Sequence, residues 1–248
     1  MKNRNLLVAI CLLGIYALSP TQSFGQEPME ILKQMDKIFF APDDQKATMK
    51  MVLTDRNGNE RIREAQLWQK GTDKRLFRFT APASEAGIAF LSLPDEVMYI
   101  YMPAFGRERR IASHVKNQSF AGTDFTYEDM ETREYAKSFT ASILRKQEET
   151  ITLELIPRPE IRSDYSKIVM DINQKNFFPL RSEHYDRLGN LIKRASYTWK
   201  KQGSYWYPHE IVMTDLRRNH STSMTLTSLE FNTGLSDQLF TVRNLTGF

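Results

Sequence analysis

The pattern of apolar and polar positions changes once along the chain, from a helical period to a period of two. Met29, Leu32, Met35 and Phe39 recur at helical spacing and predict one amphipathic helix. The segments after it alternate and predict thirteen strands, over residues 46–54, 61–70, 75–80, 88–93, 97–102, 107–112, 138–146, 150–156, 167–173, 180–185, 191–200, 207–216 and 222–231. Short strands with little helix between them predict a mainly β protein, whose antiparallel sheet curls into a barrel or half-barrel.

Two segments depart from simple alternation. Residues 97–102 are apolar on both faces, so we expect a central strand whose two faces are both covered by other parts of the chain. The amphipathic helix is expected to cover one of these faces. Residues 124–135 predict a short helix that Asp124 caps, with acidic side chains near its positive end.

The first 25 residues have the pattern of a secretory signal peptide. Lys2 and Arg4 precede an apolar run over residues 6–18, and residues 23–25 (Ser-Phe-Gly) offer small side chains to a signal peptidase. The run is shorter than the roughly 20 apolar residues that span a membrane. We therefore expect cleavage near Gly25 and a single domain over residues 26–248, since no linker, repeat or low-complexity tract interrupts that part.

The only cysteine of the sequence, Cys11, lies inside this signal. Ile10 precedes it where an acylated lipoprotein cysteine needs a small residue, so we interpret Cys11 as one more apolar residue of the signal. The exported chain then has no disulfide, no thiolate nucleophile and no cysteine metal ligand. Loss of Lys2 and Arg4 with the signal lowers the formal net charge of +4 by two. The remaining basic residues do not form the concentrated positive face of a nucleic-acid binder.

Catalytic motifs are not recognisable in the sequence. The four histidines, His114, His184, His209 and His220, form no pair at metal-binding spacing, and no Gly-x-Ser-x-Gly elbow occurs. The adjacent carboxylates at 43–44 and 128–129 fit helix caps better than a glycosidase pair. We expect no metal, no cofactor and no enzymatic activity; an envelope hydrolase with scattered carboxylates or histidines, and a non-transporting envelope scaffold, stay open as alternatives.

Large flexible and aromatic apolar side chains are frequent on the predicted strands. A curled sheet can leave part of its concave face unfilled, and such side chains suit apolar ligands of variable shape. The candidate ligand-binding residues of this cavity are Leu32, Met35, Trp68, Phe77, Phe79, Phe90, Met98, Ile100 and Met102.

A dense motif over residues 75–130 carries a family resemblance. It has an Arg and aromatics before a proline, a Gly and a Phe-Leu pair, an aromatic strand that ends in a proline, an Arg-rich strand and a Ser-Phe-x-Gly-Thr-Asp-Phe-Thr-Tyr-Glu-Asp segment. Its most characteristic positions are Arg109, Arg110, Phe120, Gly122, Asp124, Phe125, Tyr127 and Asp129. This motif resembles that of the outer-membrane lipoprotein-sorting protein family, a LolA-like group, although Met98 or Tyr99 stands where the family often has Trp.

The resemblance implies a LolA/LolB-like half-barrel with helices covering its concave side. It also implies a soluble periplasmic carrier that shelters acyl chains of lipoproteins or other envelope lipids in an apolar cavity, in company with an RND/MMPL-type inner-membrane transporter. We expect a monomer that binds no nucleic acid. In the motif, Gly122 is expected to allow a tight turn, while Arg109 and Arg110 face either solvent, a lipid headgroup or a partner's acidic surface.

Overall fold

The computed structural model describes residues 26–246, so the predicted signal peptide lies outside the described residues. The helices are α1 (Gln26–Phe39), α2 (Tyr127–Met130), α3 (Tyr135–Ser138) and α4 (Val242–Thr246). The strands are β1 (Asp44–Thr54), β2 (Glu60–Lys70), β3 (Lys74–Ala81), β4 (Ala89–Leu93), β5 (Val97–Met102), β6 (Arg107–Arg110), β7 (Phe139–Lys146), β8 (Thr150–Pro157), β9 (Tyr165–Asn173), β10 (Pro179–Asp186), β11 (Leu191–Gln202), β12 (Tyr205–Asp215) and β13 (His220–Phe231). All thirteen predicted strands are confirmed, and only their ends differ.

The strands form one antiparallel sheet in the order β6-β5-β4-β3-β2-β1-β13-β12-β11-β10-β9-β8-β7. Two meanders, β1 to β6 and β7 to β13, are joined where β1 pairs with β13. The edge strands β6 and β7 do not pair with each other, so the sheet is open. The predicted antiparallel half-barrel is confirmed.

The first core cluster lies on the concave side around Phe120, which is fully buried. The ring of Phe120 stacks on Phe79 and meets Phe77 edge-on, with ring centroids 5.7 and 5.3 Å apart. Phe90 and Tyr127 complete this aromatic group. Burial of each such side chain contributes about 1.5–3 kcal/mol, which fixes the connection between β6 and β7 over the sheet.

The second core cluster lies under α1. Leu32 and Met35 are completely buried there, among apolar side chains of β7, β8 and β9. Asp36, on the same helix, accepts hydrogen bonds from the backbone N–H groups of Tyr135 and Ala136 at 2.9 and 2.8 Å and so holds α1 to the start of α3. Burial raises the pKa of the Asp36 carboxyl to about 6.

The strand β5 is covered on both faces, as predicted, but two details of the prediction are wrong. It is not central, because it lies next to the edge strand β6. Its outer face, Tyr99 and Tyr101, packs in a third cluster with Phe240 and Leu245 from the C-terminal segment that contains α4. The amphipathic helix α1 packs on the other half of the sheet.

The short helix α2 is confirmed, but Asp124 is not its cap. Thr126 occupies the cap position: its hydroxyl accepts from Asp129 N at 3.1 Å, and Asp129 accepts from Thr126 N at 2.8 Å. The side chain of Asp124 is instead buried against Arg218, His220 and Thr222 at the start of β13. The prediction was wrong because a cap must directly precede the helix, and the helix begins at Tyr127.

Candidate functional site

The half-barrel encloses a cavity of about 240 Å³ between the concave face of the sheet and the helices. Its wall comes from strands of both halves of the sheet, and α2 and the segment after it form the roof. A smaller apolar cavity of roughly 150 Å³ is already large enough to hold benzene. The size and position of this cavity therefore suit an apolar guest.

The inner wall of the cavity is apolar and incompletely covered. Leu67, Ile211, Met224 and Leu226 line it and are half-buried, although each points to the concave side of the sheet. Ile211 pairs across the sheet with Met224, so these side chains form a continuous patch. Apolar surface that lines a cavity gains free energy when an apolar ligand covers it.

Aromatic side chains surround the end of the cavity that reaches solvent. Phe39, Trp206, Tyr207 and Phe231 line it, and Trp206 is 42% exposed. Phe178 stacks on Trp199 and lies 5.0 Å from the ring of Trp206, which supports this aromatic rim from behind. Tyr and Trp are typical of places where one end of the side chain meets apolar surface and the other meets water.

A polar row crosses the wall near the same end. Strand pairing places Gln45 opposite Gln69 and Gln69 opposite Arg75, and all three line the cavity. The next row inward on these strands is Ala47, Leu67 and Phe77. The wall therefore changes from polar to apolar with increasing depth.

Buried charges form the roof of the cavity. Asp129 accepts hydrogen bonds from Lys193 Nζ and from the hydroxyl of Tyr165, both at 2.9 Å. Burial by itself raises the pKa of the Asp129 carboxyl, but Lys193 and the Thr126 N–H outweigh burial and lower that pKa to about 2. Asp129 is thus ionised and paired rather than available for proton transfer.

The other acidic groups of the roof are also paired. Glu128 accepts from Ser163 and from Asp164 N, and Glu131 lies 2.8 Å from Arg133 and 3.3 Å from Lys116. This network ties the segment 126–133 to β9 and to the loop before α2.

His184 is a neutral member of the cavity lining. Burial lowers the pKa of its imidazole to about 4. Its Nε2 lies 3.0 Å from Ser182 Oγ, and its Nδ1 is buried without a hydrogen-bond partner among the described residues. Among the described residues, no carboxylate is hydrogen-bonded to the ring.

A sequence family described as "uncharacterized protein" matches residues 71–247, which is more than half of the chain. The chain belongs to this family. No curated protein matches it in sequence.

The family's fold is shared with solved structures. A domain described as an outer membrane lipoprotein-sorting protein, from Vibrio parahaemolyticus, is 28% identical with a TM-score of 0.81 and covers 90% of this chain and 99% of its own. A DUF1329 family protein from Desulfovibrio piger is 22% identical, with a TM-score of 0.84 and the same coverage. A LolA superfamily protein from Nitrosomonas europaea is 22% identical, with a TM-score of 0.73, and covers 86% of this chain and 97% of its own. The LolA-like resemblance inferred from the sequence is confirmed.

Of the candidate ligand-binding residues, the structure places Phe77 in the cavity wall. Phe79, Phe90, Met98 and Ile100 are packed around Phe120 in the first cluster, with Met102 against them, and Leu32 and Met35 lie on the buried face of α1 in the second cluster. Trp68 lies on the outer face of the sheet, because strand alternation turns its neighbours Leu67 and Gln69 towards the cavity. Ligand contact by these nine residues stays a prediction.

The eight motif residues singled out in the sequence separate into three groups in the structure. Arg109 and Arg110 are exposed on the edge strand β6. Phe120, Asp124 and Tyr127 hold the roof segment together, and Gly122 has the positive φ of 75° that its predicted turn requires. The last group, Phe125 and Asp129, lines the cavity.

Sequence reasoning missed the polar row and the aromatic rim. Gln69 lies two positions from Leu67 on β2, and Arg75 lies two positions from Phe77 on β3. Because side chains alternate along a strand, the sequence already placed each polar residue on the same face as its apolar neighbour. Within residues 26–246, no cluster of His, Asp and Glu is arranged to hold a metal ion, and no helix is long and apolar enough to cross a membrane.

Proposed function

We propose that the protein is a carrier that holds acyl chains of lipoproteins or other envelope lipids in the cavity of the half-barrel. The observation that carries this proposal is the patch of half-buried apolar side chains, Leu67, Ile211, Met224 and Leu226, that lines the cavity. The similarity to a domain described as lipoprotein-sorting supports the same role. A carrier needs no catalytic centre, which agrees with the paired state of the acidic residues in the roof.

Acyl-chain length provides the direct test. Each buried CH₂ contributes about 0.8 kcal/mol, so affinity is expected to rise about fourfold per added CH₂ until the cavity is full and then to level off. The measurement is displacement of a fluorescent fatty-acid probe by saturated fatty acids of increasing length. A protein that binds no probe, or that binds short and long chains equally well, contradicts the proposal.

The cellular setting is a further part of the proposal. Residues 1–25 are removed on export, residues 26–248 form one monomeric domain in the periplasm, and an RND/MMPL-type transporter of the inner membrane exchanges cargo with it. The family resemblance and the signal pattern support this setting.

N-terminal sequencing of the periplasmic protein is expected to start at Gln26; an N-terminus at an acylated Cys11 would contradict it. In vivo crosslinking is expected to capture the transporter.

A further inference from the structure

Arg75 is a charged residue of the cavity wall that has no acidic partner among the described residues. Its guanidinium donates two hydrogen bonds to Gln69 Oε1, at 2.7 and 3.2 Å, and one to the carbonyl oxygen of Met130 at 3.2 Å. These acceptors are neutral, so the positive charge is not compensated. Burial lowers the pKa of this guanidinium to about 10, which still leaves it protonated at neutral pH.

The other charged side chains around the cavity differ from Arg75 in this respect. Asp129 pairs with Lys193 at 2.9 Å, and Arg133 pairs with Glu131 at 2.8 Å. Tyr135 is the group whose charge would act on Arg75, but burial raises the pKa of its hydroxyl and keeps it neutral. An uncompensated cation beside an apolar cavity is costly unless the guest supplies the opposite charge.

The guanidinium is also oriented for a ligand. A guanidinium carries more N–H donors than its three hydrogen bonds use, and its planar fork matches the two oxygens of a carboxylate or phosphate. Gln69 accepts from both Nε and Nη2, which fixes the plane of the fork. Gln69 is therefore a positioning residue for Arg75.

Arg75 lies where the cavity wall changes from polar to apolar side chains. Its row, Gln45, Gln69 and Arg75, lies beside the β2–β3 turn, and the apolar row with Leu67 and Phe77 lies one step deeper. An amphiphile whose tail fills the apolar part thus has its headgroup at the polar row. We propose that this polar row binds the anionic headgroup of the cargo, a carboxylate or a phosphate, an inference that rests on the proposed carrier function.

Ligands with one tail and different headgroups test the inference. Hexadecanol, palmitate and hexadecyl phosphate are used to displace the fluorescent fatty-acid probe from protein purified after expression of the full chain. Wild type is expected to bind at least one of the two anions about tenfold to hundredfold more tightly than hexadecanol. Comparison of palmitate with hexadecyl phosphate identifies which anion the site prefers.

Variants assign this preference to Arg75. Arg75→Gln is expected to bind the anions no more tightly than hexadecanol, and its remaining binding of hexadecanol shows that the cavity is intact. Arg75→Lys keeps the charge without the fork and is expected to show an intermediate preference; it replaces Arg75→Gln if that variant does not fold. Arg110→Gln makes the same change on the exposed edge strand and is expected to leave the preference unaltered.

Two outcomes overturn the inference, and they differ from failure of the carrier proposal. If wild type binds hexadecanol and both anions equally, the headgroup site is refuted and the carrier function stands. The same holds if Arg75→Gln retains the full preference for the anions. If wild type binds neither hexadecanol nor the anions, the carrier function itself is refuted.

Discussion

Lysine in place of Ile211 is expected to abolish acyl-chain binding. Ile211 lines the cavity from β12, between Tyr197 on β11 and Met224 on β13. The acidic side chains of the cavity roof are already paired, so an ammonium group at this point must lose its hydration without a free counter-charge when a chain enters. We expect the affinity for the fluorescent fatty-acid probe to fall at least about a hundredfold, or about 3 kcal/mol.

The adjacent residue supplies the matched control for this experiment. Val212 is on the same strand but on the opposite face, where it pairs with Ser196 and Ser223. Val212→Lys introduces the same charge outside the cavity and should bind the probe like wild type. Equal binding by Ile211→Lys and wild type, with both folded by circular dichroism, would show that ligands do not use this cavity.

Ile211→Phe is a second variant for the case in which the lysine variant does not fold. The larger side chain fills part of the cavity without adding charge. The fatty-acid length at which affinity levels off should therefore become shorter than in wild type. A hydrolase predicts a different pattern, in which a single polar substitution at the catalytic group eliminates turnover and chain length matters little.

Breaking the Asp129–Lys193 pair is expected to cause the largest loss of stability. The two side chains are 6% and 4% exposed, and the pair joins the start of α2 to β11. Asp129→Asn leaves the ammonium of Lys193 buried without its counter-charge, which typically costs about 3–5 kcal/mol of unfolding free energy. Urea denaturation at pH 7 measures this difference.

The controls separate a buried pair from an exposed one. Asp129→Asn with Lys193→Met removes both charges and should recover most of the lost stability, because apolar replacement of a buried pair is often neutral. Glu27→Gln breaks the pair with Lys146, whose side chains are about half exposed, and should cost less than about 1 kcal/mol. If Asp129→Asn and Glu27→Gln are equally stable, the roof network does not hold the fold together.

The same pair has a defined dependence on pH. The Asp129 carboxyl has a folded-state pKa of about 2, below its unfolded value of about 3.9. Its contribution to stability is therefore fully present above about pH 4 and is lost as the pH falls towards 2. The stability difference between wild type and Asp129→Asn should shrink over that interval.

The sequence by itself determined the secondary structure and the fold class. Alternation with period two is a local property, and turn residues mark the ends of the strands, so thirteen strands could be predicted without any tertiary information. The motif over residues 75–130 added the half-barrel through the family resemblance that it carries, which is also a property of the sequence alone. The single cysteine in the N-terminal segment likewise excluded disulfides from the rest of the chain.

Only the tertiary structure decided which concave side chains are packed and which face a cavity. Phe79 and Ile211 both lie on the inner face of strands, but Phe120 covers Phe79 whereas Ile211 lines the cavity. That difference depends on where the segment between β6 and β7 crosses the sheet, which no local pattern encodes. The partner of Asp124 and the isolated charge of Arg75 have the same origin, since strand register and distant loops decide which groups meet.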